Sequence, residues 1–323
     1  MNIEPIRHKS PSPLRGFGYF LRCKVRRLPV LLNIEITKKC NARCSFCSCW
    51  RADTPGPELE DYGPLVKKFR PVLVSVSGGE PLVRKNCMEI LRGIRPHCHY
   101  LALITNGALL NEKSARLLVQ AGVDQICVSL DFLGRKHDEA RRVKGLYEQL
   151  SKIIPALTKA GYRIALNTII MESNLSEILP IAYRAREWGA MVSYSAFCSL
   201  KRNTEDGMVA QRRYTQLVGI VDELRHLKRS LGHVKNSDYY LRKIPAYFRD
   251  GYVPGCKAGF NWLQVTPDGF LQQCSELPRL CHFSEYDRHS IKPSACTKCW
   301  YTCRGEAEAN PLAPGRLLEL IRA

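Results

Sequence analysis

The feature that most constrains the fold is an alternation of short apolar runs with longer amphipathic stretches. The apolar runs have strand length and lie at residues 31–37, 73–77, 100–105, 125–129, 163–170 and 192–197. Stretches with helical period lie between them, for example residues 111–121, 150–160 and 175–188, each followed by glycine. This alternation is typical of β/α units around a parallel sheet. The chain is therefore predicted to be an α/β protein with a partial (β/α)6, TIM-like barrel.

The pattern changes on both sides of the predicted barrel. A full eight-unit barrel would need two more strands, but residues 208–229 have the pattern of one long basic helix. After about residue 250 helical periodicity fades, and six cysteines follow among glycines and prolines. We predict a basic N-terminal leader over residues 1–30, a barrel with its following helix over 31–250, and a small cysteine-rich module over 251–323.

Fifteen cysteines in 323 residues require an explanation by disulfides, metal sites or a thiol-rich core. The first residues lack an apolar run of signal-peptide length, and nothing later approaches the length of a membrane span. A cytoplasmic protein with reduced thiols is therefore expected. In that compartment clustered cysteines are more often metal-binding or catalytic than bridged.

The formal net charge of +19 favours anionic partners, such as phosphorylated small molecules, nucleic acid, acidic peptides or lipid headgroups. No groove-reading motif is recognisable, and few aromatics accompany the basic residues outside the leader, which disfavours nucleic acid. A zinc-containing nucleic-acid-binding protein remains the non-enzymatic alternative.

The segment CNARCSFC directly follows the first predicted strand, where the loops of a parallel barrel carry chemistry. Its thiolates, on Cys40, Cys44 and Cys47, are the usual ligands of an iron–sulfur cluster. Three cysteines leave one iron of a 4Fe-4S cluster open to a substrate or cofactor. The alternatives are a tetrahedral zinc site with Cys49 as fourth ligand, or buried cysteines that bind nothing.

Here the chain resembles the radical S-adenosylmethionine (radical SAM) superfamily. The family signature is CxxxCxxC after the first strand, and Phe46 stands where the family usually carries an aromatic. The second predicted strand runs into Gly78, Gly79, Glu80 and Pro81, which match the family's GGEP segment. The resemblance implies that the cofactors are a 4Fe-4S cluster and S-adenosylmethionine. It also implies that the two glycines allow close backbone approach to a ligand, and that Glu80 accepts from the methionine ammonium group.

Other strand ends resemble cofactor contacts of the family. Ser129 and Asp131, in VSLDF, resemble a segment whose serine approaches the cofactor carboxylate. Asn167 and the turn over residues 105–107 also lie where the family makes such contacts. Ordinary polar capping of strand ends is the alternative for each. The resulting cofactor-binding set is Phe46, Gly78, Gly79, Glu80, Asn106, Ser129 and Asn167.

The C-terminal run of CKAG, TPDG, Cys274 and CTKC resembles the auxiliary-cluster modules called SPASM and twitch domains. In that family a hairpin, here around residues 267–269, brings its flanking cysteines together. Because no cysteine follows Cys303, one auxiliary cluster is favoured over two, and Cys281 is left unassigned. A structural zinc ribbon is the alternative. The ligands implied by the resemblance are Cys256, Cys274, Cys296 and Cys299, with Cys303 as a substitute for one of them.

The resemblance implies reductive cleavage of S-adenosylmethionine to a 5′-deoxyadenosyl radical, which abstracts hydrogen from a substrate inside the barrel. An auxiliary 4Fe-4S cluster would assist oxidation or crosslinking of a peptide or small molecule, and an electron donor such as flavodoxin or ferredoxin would be needed. The chain is thus expected to be a radical SAM oxidoreductase or crosslinking enzyme. No catalytic acid or base is identifiable from the sequence.

The leader mixes aromatic residues with five basic ones, Arg15, Arg22, Lys24, Arg26 and Arg27. This composition fits an anionic membrane surface, so an enzyme of lipid or membrane-associated metabolite biosynthesis, with peripheral membrane contact, is the alternative function. A solvated basic segment that packs against the barrel bottom explains the same composition.

Overall fold

The computed structural model describes residues 3–6 and 11–309. Its helices and strands, in chain order, are α1 (Pro13–Arg26), β1 (Leu31–Glu35), α2 (Gly63–Phe69), β2 (Leu73–Ser77), α3 (Cys87–Ile94), β3 (Tyr100–Thr105), α4 (Glu112–Gln120), β4 (Gln125–Ser129), α5 (Arg135–Arg141), α6 (Leu146–Lys159), β5 (Ile164–Ile170), α7 (Ile178–Glu187), β6 (Met191–Ala196), α8 (Tyr214–Leu231), α9 (Asp238–Asp250), β7 (Trp262–Val265), β8 (Phe270–Gln272), β9 (Arg279–His282) and α10 (Thr302–Glu308).

Strands β1 to β6 lie side by side in chain order, and every neighbouring pair is parallel. Helices connect them, as right-handed β/α crossovers require. The predicted α/β architecture with six parallel strands is therefore confirmed. Strands β2, β3 and β4 begin and end at the predicted residues. Strand β1 ends two residues earlier than predicted, β5 begins one residue later, and β6 is shifted by one residue at both ends.

The helices pack their apolar faces on the outer side of the sheet, while the inward positions mix small and polar side chains with a few large apolar ones, among them Tyr100 and Ile104. Deep in the barrel, Ala102, Cys127 and Ala165 pack together. Because side chains alternate along a strand, the next inward positions toward the carboxyl ends include Ser129 and Asn167. The small residues at these inward positions leave room for a ligand at the carboxyl ends of the strands.

The C-terminal segment continues the same sheet. Strand β7 pairs in parallel with β1, and β8 and β9 follow in antiparallel order. The predicted hairpin lies between β7 and β8, with Gly269 at φ 82°. The division into three regions remains a prediction, since the boundary at residue 251 precedes strands that extend the barrel sheet.

All fifteen cysteines lie within the described residues and none forms a disulfide. Cys23, Cys87, Cys98, Cys127 and Cys198, which lie outside the predicted clusters, are all buried. No helix in the described part of the chain is long and apolar enough to cross a bilayer.

Candidate active site

A cavity of about 290 Å³ lies at the carboxyl ends of the barrel strands. Strand ends contribute Ser77, Ser129 and Ser195 to its wall. The loop after β1 contributes the three cysteines of CNARCSFC together with Phe46, and the loop after β2 contributes both glycines of GGEP. Two predicted motifs that are distant in the sequence therefore meet around one space.

The cysteine loop is held against helix α5. Backbone N–H groups of Arg43 and Ser45 donate to the carbonyls of Arg141 and Ala140, at 3.2 and 2.9 Å. These bonds fix the segment from Cys40 to Cys47 although it has no regular secondary structure of its own. Cys40, Cys44 and Cys47 are thus presented to the cavity by a loop with defined backbone partners.

The cysteine thiols differ in acidity. Burial raises the pKa of Cys40 and of Cys44, and the charge of Arg141 partly opposes this shift at Cys44. The pKa of Cys47 is lowered to about 7 because its sulfur is hydrogen-bonded to Cys49. The same contact raises the pKa of Cys49 above its ordinary value.

The donor set suits an iron–sulfur cluster. In the described ranges, no three His, Cys, Asp or Glu side chains converge closely enough to hold a single metal ion. A 4Fe-4S cluster places each cysteine on a different iron, so its cysteines need not converge on one point. Three cavity-facing thiols beside open space are therefore a suitable donor set for the family's cluster.

The glycines of GGEP are required by close backbone packing within the protein. A Cβ on Gly79 would lie 2.2 Å from the carbonyl oxygen of Lys39, and one on Gly78 would lie 2.4 Å from that of Thr37. The N–H of Gly79 donates to the Thr37 carbonyl at 2.8 Å. The sequence prediction attributed these glycines to approach of a ligand; the structure adds close packing against the segment that leads into Cys40.

Glu80 lies behind the cavity wall and is fully buried. Its carboxylate accepts from the hydroxyl of Thr105 at 2.8 Å and from the N–H groups of Asn106 and Leu82 at 2.7 and 3.1 Å. Burial raises the pKa of Glu80, and these hydrogen bonds oppose the shift only in part. In this arrangement Glu80 ties the GGEP turn to the end of β3, and it is not among the residues that line the cavity.

The other predicted cofactor-binding residues lie at two different depths in the barrel. Asn106 lines the cavity, and its Nδ2 donates to Asn41 at 2.7 Å and lies 3.9 Å from the Cys40 sulfur. Ser129 also lines the cavity, whereas Asn167, its register partner on β5, is not part of the lining. Ile169, two residues further along β5, lines the cavity, so Asn167 lies deeper in the barrel.

Sequence reasoning missed Arg141, a buried cation in the cavity wall. Its Nη2 lies 2.5 Å from Oδ2 of Asp131, its Nη1 lies 3.8 Å from the Cys44 sulfur, and its guanidinium lies over the Phe46 ring at 5.5 Å. Burial lowers the pKa of Arg141, but Asp131 and Cys44 outweigh it and the net shift is upward. Its Nε is buried and has no hydrogen-bond partner in the described structure.

The C-terminal segment also contributes to the cavity wall. Glu276 accepts from the hydroxyl of Tyr301 at 3.0 Å, and Nζ of Lys201 lies 3.8 Å from the same carboxylate oxygen. All three residues line the cavity. Burial lowers the pKa of Lys201, but Cys49 and Glu276 outweigh it, so the group is held as a cation. No motif in the sequence links these residues.

The predicted auxiliary cysteines lie in one region of the fold, where Cys256 interacts electrostatically with Cys296, and Cys299 with Cys303. Cys256 and Cys274 share one buried cluster with Trp262, and Cys303 packs against it. Cys299 is buried nearby, and its carbonyl accepts from the guanidinium of Arg304 at 2.8 Å. Cys296 lies outside this apolar cluster although its thiol interacts with that of Cys256, and Cys281 packs against the main core instead.

Comparison with known proteins identifies the family. The model of the radical SAM superfamily matches residues 34–182. The chain is 32% identical over 263 residues to a probable GTP 3′,8-cyclase of Pyrococcus horikoshii, covering 75% of this chain and 82% of that protein. It is 27% identical over 280 residues to an AdoMet-dependent heme synthase of Methanosarcina barkeri, covering 78% of each.

Solved structures show the same fold. SuiB of Streptococcus suis, in its crystal structure bound to S-adenosylmethionine, has a TM-score of 0.66 at 14% identity, over 85% of this chain and 69% of SuiB. SuiB bound to the precursor peptide SuiA has a TM-score of 0.64, over 99% and 78%. At this level of identity the likeness concerns the fold alone.

The family match spans the cysteine loop and the GGEP turn that meet at the cavity, and the cyclase relative is matched over most of its length. The resemblance expected from the sequence is therefore confirmed, and it favours an enzyme over the zinc-containing alternative. The chain belongs to the radical SAM superfamily, and its cofactors are a 4Fe-4S cluster and S-adenosylmethionine.

Proposed function

We propose that the protein is a radical SAM oxidoreductase or crosslinking enzyme whose substrate reacts between the cofactor cluster and an auxiliary 4Fe-4S cluster. The observation that carries the proposal is the composition of the cavity wall. Cys40, Cys44 and Cys47 line the same cavity as Glu276 and Tyr301. Glu276 follows Cys274 by two residues, and Tyr301 lies between two further candidate ligands, so both regions contact the same space.

The side of the cavity near the cysteine loop suits S-adenosylmethionine. Cys40, Cys44 and Cys47 would hold the cluster. The unpartnered Nε–H of Arg141 would donate to the cofactor's carboxylate, with Ser129 as a second donor. Phe46, Gly78, Gly79 and Asn106 would complete the cofactor wall. Glu80 would position Asn106. Asn167, which lies deeper in the barrel than the cavity lining, would contribute to the cofactor site from there.

When bound, the cluster and S-adenosylmethionine supply a 5′-deoxyadenosyl radical that takes a hydrogen atom from the substrate, and an auxiliary cluster supplies an electron acceptor. The protein's own residues must accept the proton that the substrate releases. In a net two-electron oxidation the substrate loses a hydrogen atom, then one electron and one proton. Glu276 lies in the cavity wall with one oxygen shared by Tyr301 and Lys201, and it would accept that proton.

For the auxiliary cluster we propose ligands from Cys256, Cys274, Cys299 and Cys303, with Cys296 as an alternate. The packing of Cys303 with Cys256 and Cys274 supports its inclusion. The buried guanidinium of Arg304 donates to the carbonyls of Cys299 and Val253, which fixes two of the segments that carry these cysteines. A zinc site on the same residues is the alternative.

The proposal leaves two substrate classes to be separated. The names of the curated relatives, a heme synthase and a GTP cyclase, support a small molecule. SuiB, which is similar in fold, has been solved with a precursor peptide, and this supports a peptide. An anaerobic screen for substrate-dependent 5′-deoxyadenosine across both classes decides between them.

Cysteine variants test the arrangement directly. Cys44→Ala is expected to abolish 5′-deoxyadenosine formation, while Cys274→Ala is expected to spare cofactor cleavage at least partly and to block net product. Cys281→Ala is the matched control, because Cys281 lies outside both groups. The reconstituted parent is expected to bind about eight irons and Cys274→Ala about four, by four irons per cluster. Zinc in place of auxiliary iron, or full product formation by Cys274→Ala, would contradict the proposal.

A further inference from the structure

Helix α1 carries an exposed apolar stripe. Leu14, Phe17, Leu21 and Val25 are 85%, 58%, 51% and 72% exposed, and they recur at the three- and four-residue spacing of one helix face. Leu14, Val25 and Phe17 are the three most exposed large apolar side chains of the described residues. A contiguous apolar face in water marks an interaction site more often than scattered single residues do.

The opposite face of α1 is already anchored to the barrel. Cys23 is fully buried, and the guanidinium of Arg22 donates to the carbonyl of Phe69 at 2.7 Å. A Cβ on Gly16 would lie 2.7 Å from the His99 ring, so the helix approaches the barrel closely there. Because this face fixes the helix, the stripe is directed away from the barrel.

The charge around the stripe selects the partner. Helix α1 contains four basic residues and no acidic one. Arg15 and Lys24 lie over the Tyr19 and Phe20 rings, at 5.8 and 5.4 Å, and Arg27 follows at the C-cap. An apolar face flanked by basic residues and aromatic rings is typical of helices that lie in the interface of an anionic bilayer. We propose that α1 docks this protein onto an anionic lipid surface.

The position of α1 determines what docking achieves. The helix contacts Arg70, three residues before β2, and His99, directly before β3, so it lies at the amino ends of the strands. The cavity lies at the carboxyl ends. Docking through α1 therefore directs the cavity away from the bilayer. Helix α1 holds the enzyme at the membrane, while the substrate enters the cavity from the aqueous side. Membrane contact through α1 therefore does not require a substrate that is embedded in the bilayer.

Vesicle co-sedimentation of the full-length holoenzyme tests this proposal. The parent is expected to bind vesicles of equal parts phosphatidylglycerol and phosphatidylcholine about tenfold more tightly than pure phosphatidylcholine, because basic residues near an anionic surface strengthen binding. The double variant Leu14→Asp/Phe17→Asp is expected to lose at least about tenfold of that binding. Raising the salt from about 0.1 M to about 1 M, which shortens the Debye length to about 3 Å, is expected to weaken it too.

The matched control is Leu231→Asp/Tyr252→Asp, which makes the same charge change at side chains 41% and 52% exposed on other elements. It is expected to bind like the parent. S-adenosylmethionine cleavage is expected to be unchanged in both double variants, so loss of binding is separable from failure of the active-site assignment. Equal vesicle binding by parent and α1 variant would overturn the proposal. A parent dimer that the α1 variant converts to a monomer would also overturn it, by assigning the stripe to a second copy.

Discussion

Asp131 and Arg141 form a buried ion pair that joins the end of β4 to the last residue of α5, with Oδ2 of Asp131 2.5 Å from Nη2 of Arg141. The other carboxylate oxygen accepts from the N–H of Ile169 at 2.9 Å. The carbonyl of Arg141 in turn accepts from the cysteine loop. One ion pair therefore connects β4, β5, α5 and the loop that carries the cluster ligands.

Replacing Asp131 with Asn is expected to destabilise the protein by about 3–5 kcal/mol, because it leaves the buried guanidinium without its anion. Affinity for S-adenosylmethionine is expected to fall as well, since Arg141 lines the cavity and is the proposed donor to the cofactor's carboxylate. Denaturant unfolding and calorimetric titration measure the two effects. Glu139→Gln removes the anion of the exposed Arg135 pair and is expected to change stability by less than about 1 kcal/mol. Equal stability and affinity in Asp131→Asn and the parent would show that the pair does not position Arg141.

His137, on the same helix, makes stability depend on pH. Its side chain is fully buried beside Asp131, and burial lowers its pKa well below the ordinary value of 6.5. In the folded state it stays neutral while the unfolded chain takes up a proton, so the unfolded state binds more protons below pH 6.5. Its contribution to stability is therefore present above pH 6.5 and is lost as the pH falls, by up to about 1.4 kcal/mol per pH unit.

We expect His137→Asn, which keeps a hydrogen-bond acceptor near the Asp131 N–H, to reduce this loss between about pH 6.5 and 5. The measurement is the denaturant midpoint as a function of pH. His226→Asn, at an exposed position of α8, is the control and should retain the parent's slope. A slope in His137→Asn as steep as in the parent would assign the pH dependence to other groups.

Gly79 provides a test of backbone packing at the site. An alanine there would place Cβ 2.2 Å from the Lys39 carbonyl oxygen, an atom of the backbone that cannot move aside as a flexible side chain would. Gly79→Ala is expected to cost about 1–3 kcal/mol through overpacking and to lower the iron content, because the shifted segment leads into Cys40. Gly219→Ala in α8, where a Cβ meets nothing within 4 Å, is expected to stabilise the protein by about 0.5–1 kcal/mol. Retention of full iron content and stability by Gly79→Ala would contradict this account.

The sequence predicted the barrel well because its signals are local. Strands β2, β3 and β4 are apolar runs bounded by polar or turn residues, and Asn111, the first residue of the helical stretch predicted over 111–121, caps α4 in a capping box with Ser114. The predicted helix over 175–188 begins later, at Ile178. The preceding turn is held by the Asn174 amide, which donates to the carbonyls of Asp131 and Ile169. Such long-range contacts are not visible in a local pattern.

The candidate site was predictable only where residues form a motif. The three cysteines, Phe46 and the GGEP glycines are close in sequence and were found. Arg141, Lys201, Glu276 and Tyr301 come from four distant segments, and in a chain with 49 Lys and Arg residues no pattern distinguishes a buried cation from a surface one. Helix α9, which contains Pro245, was also missed, whereas α6 was predicted although it contains Pro155.

Glu276 provides the sharpest test of the proposed proton acceptor. Glu276→Gln keeps the size and an acceptor oxygen for Tyr301 but removes the negative charge, so it is expected to reduce net product formation by about 10²–10⁴-fold. Substrate-independent cleavage of S-adenosylmethionine is expected to persist, because the side-chain hydrogen bonds of Glu276 come from Tyr301 and Ser275 rather than from the proposed cofactor donors Arg141 and Ser129. The ratio of 5′-deoxyadenosine to product, measured by mass spectrometry, should therefore rise. Glu285→Gln, in a turn outside the cavity lining, is expected to leave the ratio unchanged. Parallel loss of cleavage and product in Glu276→Gln would indicate a structural role and remove it as the proton acceptor.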